Sequence, residues 1–242
     1  MSNFRSILCV FLFLLICSNS NGQIIIDSLQ KKSLLKKTIL PTSLIVVGSI
    51  ISNSNFEQKL QIDLRNGVGN NYENKIDNFM LFAPIVELYL ADIIGVKSKN
   101  HWFDQSKNLF ISNVISSFIT NRLKVIVGKT RPNGEVHSFP SGHTTIAFTN
   151  ATVLYEEFKN SSPILAYSGY VFATGTGGFR MINNKHFISD VMVGAGIGIL
   201  VTKLVYHFEP FKNFNPFKDS KNTVVIPQIN YGNYGIYISY SF

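Results

Sequence analysis

"HSFPSGHTTIAF", residues 137–148, runs from a polar turn through proline, serine and glycine into a stretch of helical character. Ser141 is a residue type that caps helices, so the stretch reads as a helix opening at Gly142 and His143 and continuing to about residue 158. The free backbone amides at such a start favour an anion ahead of them, and Gly142 lets a ligand approach the backbone closely. One helix with a polar, anion-seeking mouth predicts a helical protein built around that mouth.

Working outward, apolar stretches of helical length cover roughly 40–53, 79–96, 109–127, 143–158, 163–179 and 190–206. They predict an all-α fold, a bundle of five to six core helices. "NSNFEQKLQIDLRNGVGNNYENKIDN", residues 53–78, is polar and rich in Asn and Gly, and reads as a loop holding one short helix. The tail "TVVIPQINYGNYGIYISYSF", 223–242, carries a Gly/Asn turn signal between two strand-like runs, with Ile236, Ile238, Tyr240 and Phe242 alternating. A small C-terminal β-hairpin follows, too little to close a barrel, which needs about eight strands.

The chain has 242 residues, 45% of them hydrophobic, and a mean hydropathy of +0.16, which excludes a disordered protein. A formal charge of +8 favours an anionic partner such as phosphate or an acidic lipid surface. Residues 1–22 read as a secretory signal: Arg5, then the apolar core "ILCVFLFLLIC", then "SNSNG". Both cysteines, Cys9 and Cys17, fall inside it, so the mature chain is expected to form neither disulfide nor thiolate metal site. Export to a bacterial envelope is the expectation. The remainder divides into an N-terminal segment at 23–75, a core at 76–208, and a linker with the hairpin at 209–242.

A span needs about 20 mostly apolar residues. Of the six stretches, only "VMVGAGIGILVTKLVYHF", 191–208, reads convincingly as one, and its Gly194, Ala195, Gly196 and Gly198 suit close helix packing in lipid or in a protein core. Glu87 and Asp92 interrupt the second stretch, and Glu156 and Glu157 end the fourth early. If the first three stretches all spanned, the loop after the third would face the cytoplasm, against an exported site. Lys31, Lys32, Lys36 and Lys37 could hold the amino end against acidic head groups.

The chemistry gathers around the opening stretch. "LKVIVGKTRPNG", 123–134, sets Lys124 and Arg131 seven residues apart, two turns if the helix continues to Pro132. "FRMINNKHFISDVMVGAG", 179–196, brings Arg180, His186 and Asp190 to the join of the last two helices. His186 and Asp190, four apart, share a helix face, so the carboxylate can hold one imidazole nitrogen and leave the other to attack. Lys129, His137 and Lys185 read as loop or solvent-facing residues.

In this order, "KVIVGKTRP" (124–132), "PSGH" (140–143) and "RMINNKHFISD" (180–190) resemble the signature of the type 2 phosphatidic acid phosphatase family, KxxxxxxRP, PSGH and SRxxxxxHxxxD. One departure is Phe179, where the family has serine before the arginine. The resemblance, over about 76–208, implies the family's helical bundle. It implies that His186 attacks phosphorus to form a phosphohistidine, that Asp190 orients it, and that His143 protonates the leaving oxygen and then activates water. It implies further that Lys124, Arg131, Arg180, Ser141 and Gly142 hold the phosphoryl oxygens, with no metal and no cofactor.

Family members in bacterial envelopes handle phosphatidic acid, phosphatidylglycerophosphate, undecaprenyl diphosphate and lipid A phosphates. The resemblance thus points to a phosphorylated lipid as partner, at a membrane surface or in the bilayer, with a periplasm-facing site and no nucleic acid. A soluble periplasmic acid phosphatase is the alternative. A vanadium haloperoxidase fits less well, since the seven residues between the first two blocks leave little room. A non-enzymatic phosphate or lipid binder would have no use for an oriented nucleophile.

Overall fold

The protein is described by a computed structural model, which covers residues 28–69, 71–212, 214–215, 223–230 and 233–240. The expected signal segment lies outside these residues. Among these residues, eight helices run in order: α1 Ser28–Ile51, α2 Asn55–Val68, α3 Asp77–Met80, α4 Ala83–Ile93, α5 Trp102–Val127, α6 Gly142–Phe158, α7 Pro163–Ile182 and α8 Ile188–Phe208. The core is all-helical, as the apolar pattern predicts. Strands β1 Thr223–Asn230 and β2 Asn233–Tyr240 pair antiparallel, from Thr223 opposite Tyr240 to Asn230 opposite Asn233. The turn expected between them lies outside the described residues, as does Phe242.

Helix α6 is the axis of the bundle and packs against α5, α7 and α8. Its apolar residues do not form a stripe, because every face is covered: Ala147, Ala151, Val153, Leu154 and Phe158 are fully buried, and so are Thr144, Thr145, Thr149 and Thr152. The threonines satisfy themselves by bonding back one turn, as Thr149 Oγ1 does to Thr145 O at 2.8 Å and Thr152 Oγ1 to Phe148 O at 2.7 Å. Helix α8 reaches α6 through its small residues. A Cβ on Gly198 would stand 2.6 Å from Thr145 O, so only glycine permits this approach. Helix α1 lies against the opposite side of α8.

Helix limits differ from the apolar stretches: α1 starts earlier, at Ser28, and α5 earlier, at Trp102. The polar segment 53–78 holds a 14-residue helix, α2, started by Ser54, whose Oγ accepts from Glu57 N at 3.3 Å. The apolar stretch 79–96 is broken into α3 and α4, with Pro84 in the first turn of α4.

Among the described residues, two helices are long and apolar enough to cross a membrane: Leu34–Ile51 in α1, mostly exposed, and Ile188–Phe208, mostly buried as a core helix would be. Large apolar side chains also point outward from several helices, among them Ile39 and Ile50 on α1, Phe110, Phe118 and Val125 on α5, and Ile164 and Val171 on α7. An apolar surface this extensive on a folded protein marks contact with lipid or another protein.

Candidate active site

The site forms where α5 and α7 end and α6 and α8 begin. Helix α5 stops at Val127 because Gly128 adopts a left-handed conformation, φ 60° and ψ 20°, and its N–H caps Lys124 O. Arg131 is therefore not on the helix, against the expectation of two continuous turns. The chain instead loops back through residues 128–141, with Ser138 N bonded to Lys129 O at 2.7 Å, and delivers Ser138 and Ser141 beside Asp190.

His186 precedes α8 and Asp190 sits in its first turn, so the two meet through the cap and not across a helix face. Asp190 Oδ2 accepts from Phe187 N at 2.9 Å, takes the Ser138 hydroxyl, and lies 3.4 Å from His186 Nδ1. With Nδ1 facing the carboxylate, Nε2 keeps the lone pair. Burial pushes the imidazole down to about 4, with Arg180 and Lys124 lowering it further against the opposing pull of Asp190. His186 is thus neutral near pH 7, with the Nε2 lone pair available.

His143, in the first turn of α6, has Nε2 2.9 Å from Asn78 Oδ1. Burial, then the positive field of Arg180, Arg131 and Lys124, lowers it to about 4, with Asp77 pulling the other way. Lys124, in the last turn of α5, donates to His137 O at 2.8 Å, and burial with the nearby Arg131 lowers it to about 8. A Cβ added to Gly142 would lie 3.7 Å from Lys124 Cε, so the helix start and the lysine are neighbours. Arg180 pairs with the buried Asp77 at 2.9 Å, and Arg131 pairs with Glu135. On both arginines the Nε is buried and has no hydrogen-bond partner among the described residues.

The structure thus brings His186, Asp190, His143, Lys124, Arg131, Arg180, Ser141 and Gly142 to one place. Ser141 differs from expectation in one respect. It occupies the N-cap with extended backbone, but its side chain makes no cap bond: Oγ accepts from Thr144 Oγ1 at 2.9 Å, and its N–H donates to Asp190 O at 3.0 Å. Its hydroxyl oxygen accepts from the helix interior and keeps its own proton to donate. Phe179 is half-buried one residue before Arg180.

Lys129 is the clear correction. Expected in solvent, it is buried, with Nζ 3.0 Å from Asp190 Oδ1, 2.8 Å from Glu57 Oε1 and 2.8 Å from Ser189 Oγ. A polar loop composition hides this, because the partner carboxylate comes from α2, far back in the chain. Asp77 and Asn78 were missed for the same reason. Only Glu57 had a local signal: "SNFE", 54–57, has the serine and glutamate spacing of a capping box.

The PAP2 superfamily matches over residues 106–214, which bears out the resemblance carried by the three blocks. A lipid A 1-phosphatase of Porphyromonas gingivalis is 32% identical over 172 residues, 70% of this chain and 38% of that protein. A PA-phosphatase related-family protein of Dictyostelium discoideum is 24% identical over 56% of this chain and 58% of its own length. The chain therefore spans well under two thirds of either curated relative. The crystal structure of a transmembrane PAP2 type phosphatidylglycerolphosphate phosphatase from Bacillus subtilis superposes with a TM-score of 0.52 at 19% identity, covering 74% of this chain and 99% of that one. At that identity the likeness speaks for the fold.

Proposed function

We propose that this chain, a PAP2 superfamily protein over residues 106–214, hydrolyses a lipid-linked phosphate or diphosphate at a membrane through a phosphohistidine. The observation that carries the reading is the pair of buried, unpartnered arginine Nε donors on Arg131 and Arg180, in the same cluster as a neutral, carboxylate-held His186. Buried donors without an acceptor are costly, and a tetrahedral oxyanion would supply acceptors to both.

In this reading His186 Nε2 attacks phosphorus while the bond to the leaving oxygen breaks, and His143 gives that oxygen its proton. His143 then takes a proton from water, which attacks the phosphohistidine and releases phosphate and free His186. Lys124, Arg131, Arg180 and the Gly142 amide hold the equatorial oxygens as charge redistributes among them. Free His143 is neutral at pH 7 because it is buried and because three cations face it. A bound phosphate dianion offsets those cations, so the substrate itself raises His143 into the acid form it needs.

The outward-facing apolar side chains on α1, α5 and α7 support a lipid substrate over a soluble ester. Residues 1–22 support export, with the site on the periplasmic side. The test is phosphate release by the purified chain, with chelator, from a lipid phosphate in micelles against a small soluble ester, for wild type and His186→Ala. Preference for lipid and loss of turnover in the variant are expected. Equal or better turnover of the soluble ester would favour a periplasmic acid phosphatase, and an active variant would overturn the mechanism.

A further inference from the structure

We infer that Glu57 and Lys129 are positioning residues, a buried charge chain that fixes Asp190 and sets the negative charge felt by His186. The inference rests on the reading of His186 as nucleophile.

The lysine of the chain is saturated, while Glu57 Oε2 is buried without a hydrogen-bond partner among the described residues. An ammonium has three donors, and those of Lys129 meet three acceptors: Glu57 Oε1 at 2.8 Å, Ser189 Oγ at 2.8 Å and Asp190 Oδ1 at 3.0 Å. The side chains of Lys129, Glu57 and Asp190 are 2%, 1% and 0% exposed, so solvent screens none of these charges. Lys129 also sits 4.5 Å from the centre of the Phe187 ring, directly after the nucleophile. Glu57 Oε1 is held in turn by the Asn53 N–H, at the start of α2.

The charges explain why both residues are there. Asp190 alone would offer His186 one negative charge, but the charge of Lys129 cancels it. Glu57 restores the balance, so the chain carries one net negative charge. As His186 attacks, its ring gains positive charge, and that net charge stabilises it. Three other groups face the imidazole: Arg180 from α7, Lys124 from α5 and the Ser138 hydroxyl from the loop. Two of these are cations, which makes the sign of the buried chain decisive.

Glu57→Gln removes the charge and keeps the shape and the carbonyl acceptor that Asn53 uses. The assay is steady-state turnover of a lipid phosphate by the full chain in mixed micelles from pH 2 to 9, with a melting curve for each variant. With the negative charge gone, imidazolium is less favoured, so the acid limb of kcat/KM moves to lower pH, by on the order of one pH unit. A kcat loss of about tenfold with KM within twofold accompanies it.

The double variant Glu57→Gln/Lys129→Met returns the net charge to minus one and recovers part of the lost kcat. A purely structural role would make the double variant worse than the single. An unshifted limb with unchanged kcat, or a double variant no better than Glu57→Gln, overturns the inference. Absence of phosphatase activity in wild type would instead remove the reading of His186, which the same data set distinguishes.

Discussion

The seam between α6 and α8 should control catalysis, and Gly194→Ala tests it. Gly194 lies one turn beyond Asp190, where a Cβ would stand 2.7 Å from Ser141 O, 3.2 Å from Thr145 Oγ1 and 3.3 Å from Thr144 Cβ. The first contact is about 0.7 Å short of an ordinary van der Waals approach, and it is to backbone, which has no rotamer to give. The start of α6 must therefore move away from α8 by most of that distance. His186 and Asp190 belong to one side of the seam, and Ser141, Gly142 and His143 to the other, joined by the 3.0 Å bond from Ser141 N to Asp190 O.

A displacement of this size exceeds the tolerance of about 0.5 Å for a reacting constellation, and about 1 Å costs on the order of a hundredfold. The expected result is a kcat loss of about 10 to 100-fold, with a stability loss of about 1–3 kcal/mol from overpacking. Gly67→Ala is the control: it lies in α2, nothing stands within 4 Å of its Cβ, and a small gain in stability with unchanged kcat is expected. Phosphate release and melting in the same detergent measure both. A Gly194→Ala protein with wild-type kcat would refute the claim that this seam sets the catalytic geometry.

Two further outcomes concern protons. Inorganic phosphate should raise the pKa of His143, read by NMR titration, from about 4 by at least roughly one unit, because it offsets Arg180, Arg131 and Lys124; no upward movement would break the proposed acid role. His186 is held at about 4 when folded against about 6.5 when unfolded, so the unfolded chain takes up its proton first as pH falls. Stability should thus be intact above about pH 6.5 and decline by about 3 kcal/mol towards pH 4. Denaturation of wild type and His186→Gln across that range should show the steeper fall in wild type, and equal slopes would contradict the buried, neutral assignment.

What the sequence made legible follows from the range of each interaction. Helices α6, α7 and α8 could be read because continuous apolar runs bounded by proline, glycine and serine are local signals. The three blocks could be read because spacing is local too. The apolar stretch 109–127 ends where α5 ends, at Val127, whereas continuation to Pro132, which would put Arg131 on the same helix, fails because Gly128 turns the backbone left-handed. Lys129 was misplaced because neither periodicity nor composition links it to Glu57, 72 residues earlier. The role of Ser141 was half legible: residue type gave the cap position, but the rival Thr144 hydroxyl takes up its side chain.

The long-range pairs also share an origin. Glu57, Asp77 and Asn78 all precede residues 106–214, yet they reach Lys129, Arg180 and His143 respectively. Glu57 and Asp77 give Lys129 and Arg180 buried carboxylates, and Glu135 serves Arg131 nearer the surface. Among the described residues, Lys124 is the one site cation bonded to carbonyl oxygens in place of a carboxylate, and its pKa is lowered to about 8. A carbonyl cannot neutralise an ammonium, whereas a phosphate can. On the proposed mechanism, the amino-terminal carboxylates fix the charges of Lys129 and Arg180 and leave Lys124 and His143 to respond to a bound anion, so that binding it and arming the acid would become one electrostatic event.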